Sequence, residues 1–225
     1  MLGLPPTTEV KRPLPKAQLF KRFDWIPSQR ERFDGDVSRL DFVNWISPRT
    51  IPGIAEGKEV KEIFIVEVSL KSRDFDIKNI TLLAKSIPQR IVYLLRYKDE
   101  VCIGVYYTKL FLTPWIHAKG MSLQITGLCL DDVWEDMVQK IWLSSQNVGT
   151  SQNVGTSLCD VAPKNSNVSP SKHAKGMSLQ DEILAADNRA KLERQIAALE
   201  RQMNTTKQPR RKRELFVELQ KLKSL

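Results

Sequence analysis

Residues 62–71, EIFIVEVSLK, are the stretch that decides the fold. Apolar residues recur at every second position, which is the side-chain period of a β-strand. One face of the predicted strand carries Ile63, Ile65, Glu67 and Ser69, and the other carries Phe64, Val66, Val68 and Leu70. We therefore take this strand as the reference from which the neighbouring elements are assigned.

On the C-terminal side of this strand the patterns alternate between helix and strand. Residues 76–88, DIKNITLLAKSIP, place apolar side chains at helical spacing and end at a proline. Residues 90–108 predict a β-hairpin with a short charged turn. The pattern of residues 110–115 predicts an edge strand, and that of residues 121–130 (MSLQITGLCL) predicts a further strand. Residues 130–143 have the spacing of an amphipathic helix.

On the N-terminal side, a strand is predicted from Val37 to Ile46, where Ser47-Pro48 ends it, and a short helix from Ser28 to Phe33. Residues 1–19 contain four prolines and predict a basic, extended arm. The order of elements indicates an α+β domain over residues 20–143, with a largely antiparallel sheet and flanking helices.

Residues 144–177 have a different composition, polar and rich in Ser, Asn and Gly, which predicts a disordered linker. Within it SQNVGT occurs twice in tandem. HAKGMSLQ also occurs twice, at His117–Gln124 and at His173–Gln180. Duplication of the coding DNA at a site that tolerates insertion explains both repeats. The alternative is a recognition element that is used twice.

Residues 178–225 predict an antiparallel helical hairpin, a short coiled coil. Ser178 with Asp181 is typical of a helix N-cap, and Pro209 suits the first turn of a second helix. Apolar residues repeat in steps of four and three, which predicts two packing seams. These seams are Leu192, Ile196, Leu199 and Met203 on the first helix, and Leu215, Leu219 and Leu222 on the second. A parallel homodimer through the first seam is the competing arrangement.

Five cations lie at the predicted turn of the hairpin: Lys207, Arg210, Arg211, Lys212 and Arg213, which we call the basic tip. Positive charge at a helix N-terminus opposes the helix dipole, so helix stability does not account for it. The tip is either a solvated, solubilising surface or a contact for phosphates or an acidic protein, without base specificity.

The sequence predicts no catalytic residue, no metal site and no cofactor. The two histidines, His117 and His173, both belong to the duplicated octapeptide, and the cysteines show no ligand spacing. A cryptic Mg²⁺-dependent nuclease stays as an alternative, because Glu59-Val60-Lys61 has Glu-x-Lys spacing downstream of Asp34, Asp36 and Asp41. The five tryptophans could stack on nucleobases, although core packing is their commoner use.

The net charge of +9 favours acidic partners: nucleic acid, an anionic membrane face or an acidic protein. Eleven Lys and Arg stand against seven Asp and Glu in residues 180–225, so the tail is the densest basic segment. The longest apolar runs fall short of the roughly 20 residues that span a bilayer. These short runs, together with the absence of a disulfide framework among the three cysteines, predict a cytoplasmic protein with no membrane contact.

Several blocks of the sequence resemble an uncharacterised bacterial family, a domain of unknown function. They are MLGLPPTTEVKRPLPK (residues 1–16), ISPRTIPGIAEGKEVKEIFIVEVSLK (46–71), IPQRIVYLLRYKDEVCIGVYYTKLFLTPW (87–115), LDDVWE (130–135) and the tail at 189–222. Members of that family are often encoded beside helicases and DNA methyltransferases of restriction or phage-defence systems. Some carry a chemotaxis-protein label, which the lack of a long signalling coil here does not support.

The resemblance implies a non-enzymatic accessory subunit of a DNA-acting assembly, with a helicase or methyltransferase as its protein partner. In this interpretation the basic tip contacts nucleic acid or a second subunit. The alternative is a coiled-coil adaptor that binds only protein.

Overall fold

The computed structural model describes residues 2–146, 178–206 and 208–223. The chain divides into two compact units, Met1–Ser166 and Asn167–Leu225, which we describe separately. The predicted disordered linker lies outside the described residues, except for residues 144–146.

The first unit contains a seven-stranded sheet. Its strands are β1 (Glu9–Pro13), β2 (Val37–Ile46), β3 (Ile63–Leu70), β4 (Arg90–Tyr97), β5 (Glu100–Tyr106), β6 (Leu110–Leu112) and β7 (Ile116–His117). They lie side by side in the order β1-β2-β3-β4-β5-β6, and β7 pairs with β5 beyond the end of β6. Four α-helices accompany the sheet: α1 (Lys16–Arg22), α2 (Pro27–Asp36), α3 (Ile77–Ser86) and α4 (Leu130–Gln146).

All strand pairs are antiparallel except β3 with β4, which are parallel. Parallel neighbours need a crossover, and α3 provides it. The Asp76 side chain caps α3 by accepting a hydrogen bond of 2.9 Å from the Lys78 N–H. The α+β class with a largely antiparallel sheet and flanking helices is confirmed.

One face of the sheet packs against α1, α2 and α3. Val66 and Val68 of β3 lie in this core with Leu19 of α1, Phe33 of α2 and Ile80 of α3. Phe33 and Trp25 meet edge to face, with ring centroids 5.0 Å apart. Because alternate residues of β3 point to opposite faces, Ile63 and Ile65 lie on the other side of the sheet, where they are fully buried.

On that second side α4 contacts β5 and β6. Its apolar stripe is buried, with Val133 and Val138 fully enclosed. Trp134 and Trp142 are buried as well, so these two tryptophans pack in the interior.

The carboxylate of Asp131, in the first turn of α4, holds the loop between β2 and β3. It accepts backbone hydrogen bonds from Lys58 (2.6 Å), Glu59 (3.2 Å) and Val60 (2.8 Å). A methyl group at Gly57 would overlap this carboxylate. We call this arrangement the Asp131 clamp, because it ties together backbone segments about seventy residues apart in the sequence.

The predicted strand at residues 121–130 is wrong. Met121 and Leu123 are buried as the alternation predicts, but residues 121–127 are not part of the sheet. A strand needs a neighbour with free backbone groups, and β6 and β7 already pair with the two ends of β5, so residues 121–127 cannot pair with β5 there. The Leu123 N–H instead donates to the Leu2 carbonyl at 2.8 Å, and near Cys129 only an isolated bridge to Ala55 forms.

Part of the predicted N-terminal arm belongs to the sheet. Residues Glu9–Pro13 form β1, the edge strand that pairs with β2. Pro13 is tolerated there because an edge strand leaves one row of its backbone groups unpaired. Thr8, just before this strand, is buried and accepts a hydrogen bond from Asn44 Nδ2 at 2.8 Å.

The second unit consists of α5 (Leu179–Thr205) and α6 (Pro209–Lys223), which contact each other. Because three residues join them, the helices run antiparallel as a hairpin. Ser178, which belongs to the second HAKGMSLQ copy, is the N-cap of α5. Its hydroxyl accepts from the Asp181 N–H at 3.3 Å, and the Asp181 carboxylate accepts from the Ser178 N–H at the same distance. In the first copy the equivalent residues, 122–124, have no regular secondary structure.

Replacing Asp131 with Ala removes three acceptor contacts at once. We expect the free energy of unfolding to fall by about 1–2 kcal/mol, because hydrogen bonds to a charged acceptor are worth more than neutral ones. Urea denaturation followed by circular dichroism measures this loss. The control is Glu31→Ala, which removes the same charge from an exposed site. An equal loss of unfolding free energy in the control would show that the Asp131 clamp does not stabilise the fold.

The Asp131 clamp also predicts a pH dependence. Its backbone hydrogen bonds, led by that from Val60, lower the pKa of Asp131 below its usual value of 3.8. A group with a depressed pKa in the folded state stabilises the protein above its unfolded-state pKa, and this contribution is lost as the pH falls through the folded value. The stability difference between wild type and Asp131→Ala should therefore be constant above about pH 5 and shrink below pH 3.8.

Candidate functional site

The two predicted seams occupy the less exposed positions of the hairpin. Leu215 and Leu219 are buried, at 4% and 5% exposure. Leu192, Ile196, Leu199, Met203 and Leu222 are half-buried, whereas most of their neighbours are exposed. This distribution is what two amphipathic helices produce when their apolar stripes face each other.

The basic tip lies at the start of α6. Arg210, Arg211, Lys212 and Arg213 are all exposed and fall within one helical turn, while Lys207 lies outside the described residues. The first turn of α6 contains no acidic residue. Arg211 has an interaction partner, but Arg210, Lys212 and Arg213 form no ion pair with any side chain that the structure describes. The hairpin therefore presents a dense positive charge to solvent.

Two large apolar side chains of α6 are also exposed. Phe216 is 48% and Val217 is 51% exposed, next to the buried Leu215. An exposed adjacent pair of this kind is a small surface that a protein partner can cover.

Cys102 and His117, two of the candidate groups for nucleophilic or acid–base chemistry among the described residues, form local hydrogen bonds. Burial raises the pKa of the Cys102 thiol to about 12, and its S–H donates to the Thr113 carbonyl at 3.0 Å. A thiol with so high a pKa is not a nucleophile near neutral pH. His117 Nδ1 accepts from the Lys119 N–H at 3.3 Å in a turn.

The Glu59-Val60-Lys61 motif lies in the loop before β3, not on the strand. The backbone N–H groups of Glu59 and Val60 serve the Asp131 clamp, and Lys61 Nζ donates to the Gly57 carbonyl at 2.8 Å. Asp41 pairs across the sheet with Glu67, eight residues beyond Glu59. No group of three or more His, Cys, Asp or Glu suited to a metal ion occurs among the described residues, so this geometry gives the nuclease hypothesis no support.

The sheet does bring together two carboxylates that the sequence did not single out as a pair. Asp41 of β2 lies opposite Glu67 of β3. Arg39 Nε lies 2.7 Å from Asp41 Oδ2. Arg96 Nε lies 3.0 Å from Glu67 Oε1, but the two atoms do not form a hydrogen bond. Each carboxylate is thus neutralised by an arginine. The alternation of β3 placed Glu67 on the correct face, but the strand register that pairs it with Asp41 could not be predicted.

A family model, described as "Domain of unknown function (DUF4391)", matches residues 2–225. The chain belongs to the DUF4391 family. This confirms the predicted membership of a domain-of-unknown-function family. No curated protein and no solved structure matches the DUF4391 chain. None of its described helices combines the length and apolar character needed to cross a membrane.

Leu219→Asp tests whether the seams hold the hairpin together. Burying a charge at this position should destabilise the helix pair by about 3 kcal/mol or more. Amide hydrogen exchange measures the effect as lost protection along α5 and α6. The control is Val217→Asp, the same change on the same helix at a 51% exposed position, and equal loss of protection in both variants would contradict the seam assignment.

Proposed function

We propose that this DUF4391 protein is a non-enzymatic accessory subunit of a DNA-acting assembly of the restriction or phage-defence type. The observation that carries the proposal is the basic tip, with four consecutive exposed cations at the start of α6 and no acidic residue in the first turn of that helix. The family resemblance adds the expected partner, a helicase or DNA methyltransferase, and a bacterial origin. The cysteine pattern and the short apolar runs of the sequence favour a cytoplasmic location.

The charge of the tip argues for a ligand. Cations in the first turn repel the positive end of the helix dipole and one another. A phosphate backbone would relieve both effects, since it supplies negative charge where the helix N-terminus favours it. Flexible exposed arginines and lysines bind phosphates without reading bases, so the proposed contact is independent of DNA sequence.

Replacing Arg210, Arg211, Lys212 and Arg213 together with Ala tests the tip. Each lost phosphate contact lowers the slope of log K against log salt by about 0.9, so we expect the slope to fall by up to about 3.6. Fluorescence anisotropy with a labelled duplex at several salt concentrations measures it. The matched control replaces Arg189, Lys191, Arg194 and Arg201 of α5, four exposed cations outside the tip. Equal slopes for wild type and the tip variant would exclude DNA contact by the tip.

The second candidate is a coiled-coil adaptor that binds only protein, either a partner or a second copy of the chain. The exposed Phe216 and Val217 favour it. It predicts no DNA affinity at moderate salt, and loss of the partner or of self-association when Ile196 and Leu199 are both replaced with Asp. Analytical ultracentrifugation measures the self-association.

Affinity purification of the full chain from its native host separates the two candidates. Recovery of a helicase or methyltransferase would support the accessory-subunit proposal. Recovery of chemoreceptor components would overturn it.

A further inference from the structure

The face of the sheet that carries α1 contains a cavity of about 210 Å³ in the first unit. It lies where α1, β2, β3 and the start of β4 meet. Its floor includes Leu19 and Ile91, which are 4% and 3% exposed. This volume is below the roughly 300–1,000 Å³ of pockets for drug-sized ligands, so the cavity suits a single small ring system.

Aromatic rings form much of the wall. Phe42 and Phe64 meet at 64° with centroids 5.6 Å apart, and Phe23 of α1 also lines the cavity. Trp45 is the cross-strand neighbour of Phe64, and the two rings are nearly parallel, at 8°, with centroids 6.4 Å apart. All four rings are half-buried, so they are held in place and still reachable. Half-buried rings on a rigid sheet are a stacking surface for planar ligands.

The rim of the cavity is polar and positive. Gln18 and Gln89 line it and are exposed. A glutamine amide offers both donors and an acceptor, which is what the edge of a nucleobase requires. The Arg22 guanidinium lies 5.7 Å from the centroid of the Phe23 ring and forms no ion pair with a described side chain.

The charge around this cavity selects between possible occupants. None of its lining residues is acidic. Of the three cations of α1 (KAQLFKR), Lys16 is paired with Asp34, which leaves Lys21 and Arg22 as the exposed positive charges of this helix. An apolar side chain of a partner would use the rings but neither the amides nor the Arg22 guanidinium. A nucleotide uses all three, since its base stacks, its edge hydrogen-bonds and its phosphate pairs with arginine.

We propose that this cavity binds one unpaired nucleobase of a single-stranded nucleic acid, with the adjoining phosphate on Arg22. Phe64 and Phe42 stack on the base, and Gln18 and Gln89 contact its edge. None of the tip residues lines this cavity, and the proposal does not depend on the function proposed for the tip.

The probe is a single-stranded oligo(dT) hexamer, compared with a hexamer of abasic residues and with a duplex. We expect oligo(dT) to bind more tightly than either, because only it offers an unstacked base. Phe64→Leu keeps the apolar volume but removes the stacking face, and it should weaken binding about 5-fold or more. Arg22→Ala should lower the salt slope by about 0.7, the value for one phosphate contact of a single strand. Isothermal titration calorimetry measures the affinities.

The matched control for Arg22→Ala is Lys21→Ala, an exposed cation on the preceding residue that does not line the cavity. Repeating the titrations with the four tip cations replaced by Ala separates failure of this site from failure of the tip. A melting temperature shows whether the Phe64→Leu variant folds. If it does not fold, the salt slope of the Arg22→Ala variant tests the proposal instead. Equal binding of the abasic hexamer or the duplex, or affinity unchanged by Phe64→Leu and Arg22→Ala, would overturn the proposal.

Discussion

The pairing of β3 with both its neighbours is the constraint on which the first unit depends. Antiparallel pairing with β2 and parallel pairing with β4 place β3 inside the sheet, and its apolar residues are buried on both faces. Because β4 is parallel to β3, the chain must cross over between them, and this places α3 on one face. The helix then completes the core that α1 and α2 share, which leaves the opposite face to α4.

The elements with a strong local period could be predicted from the sequence, and those defined by distant partners could not. β3, α3, the β4–β5 hairpin and α4 lie close to where the alternation and helical spacing placed them. The seam residues of α5 and α6 follow the same rule, since their spacing alone fixes one helical face. In contrast, the apolar alternation of residues 121–130 specified burial and not pairing, because hydrogen-bond partners for a strand are set by the rest of the sheet.

The candidate sites likewise divide into those formed by neighbouring residues in the sequence and those formed by distant ones. The basic tip is a cluster in sequence, so its position at the start of a helix could be predicted. The Asp131 clamp and the Asp41–Glu67 pair each join residues far apart in sequence, and the aromatic cavity gathers side chains from α1, β2, β3 and β4. Sites of this second kind arise from strand register and helix placement, which no local pattern encodes.

The two copies of HAKGMSLQ show that the same eight residues begin a helix in one place and not in the other. Both copies contain the serine that could begin a helix, but only the second is followed by a carboxylate at the third position, Asp181, where the first has Ile125. The residue that completes the cap is therefore outside the duplicated segment. Under the duplication hypothesis, the copied octapeptide acquires its ordered helix boundary from the residue that follows it.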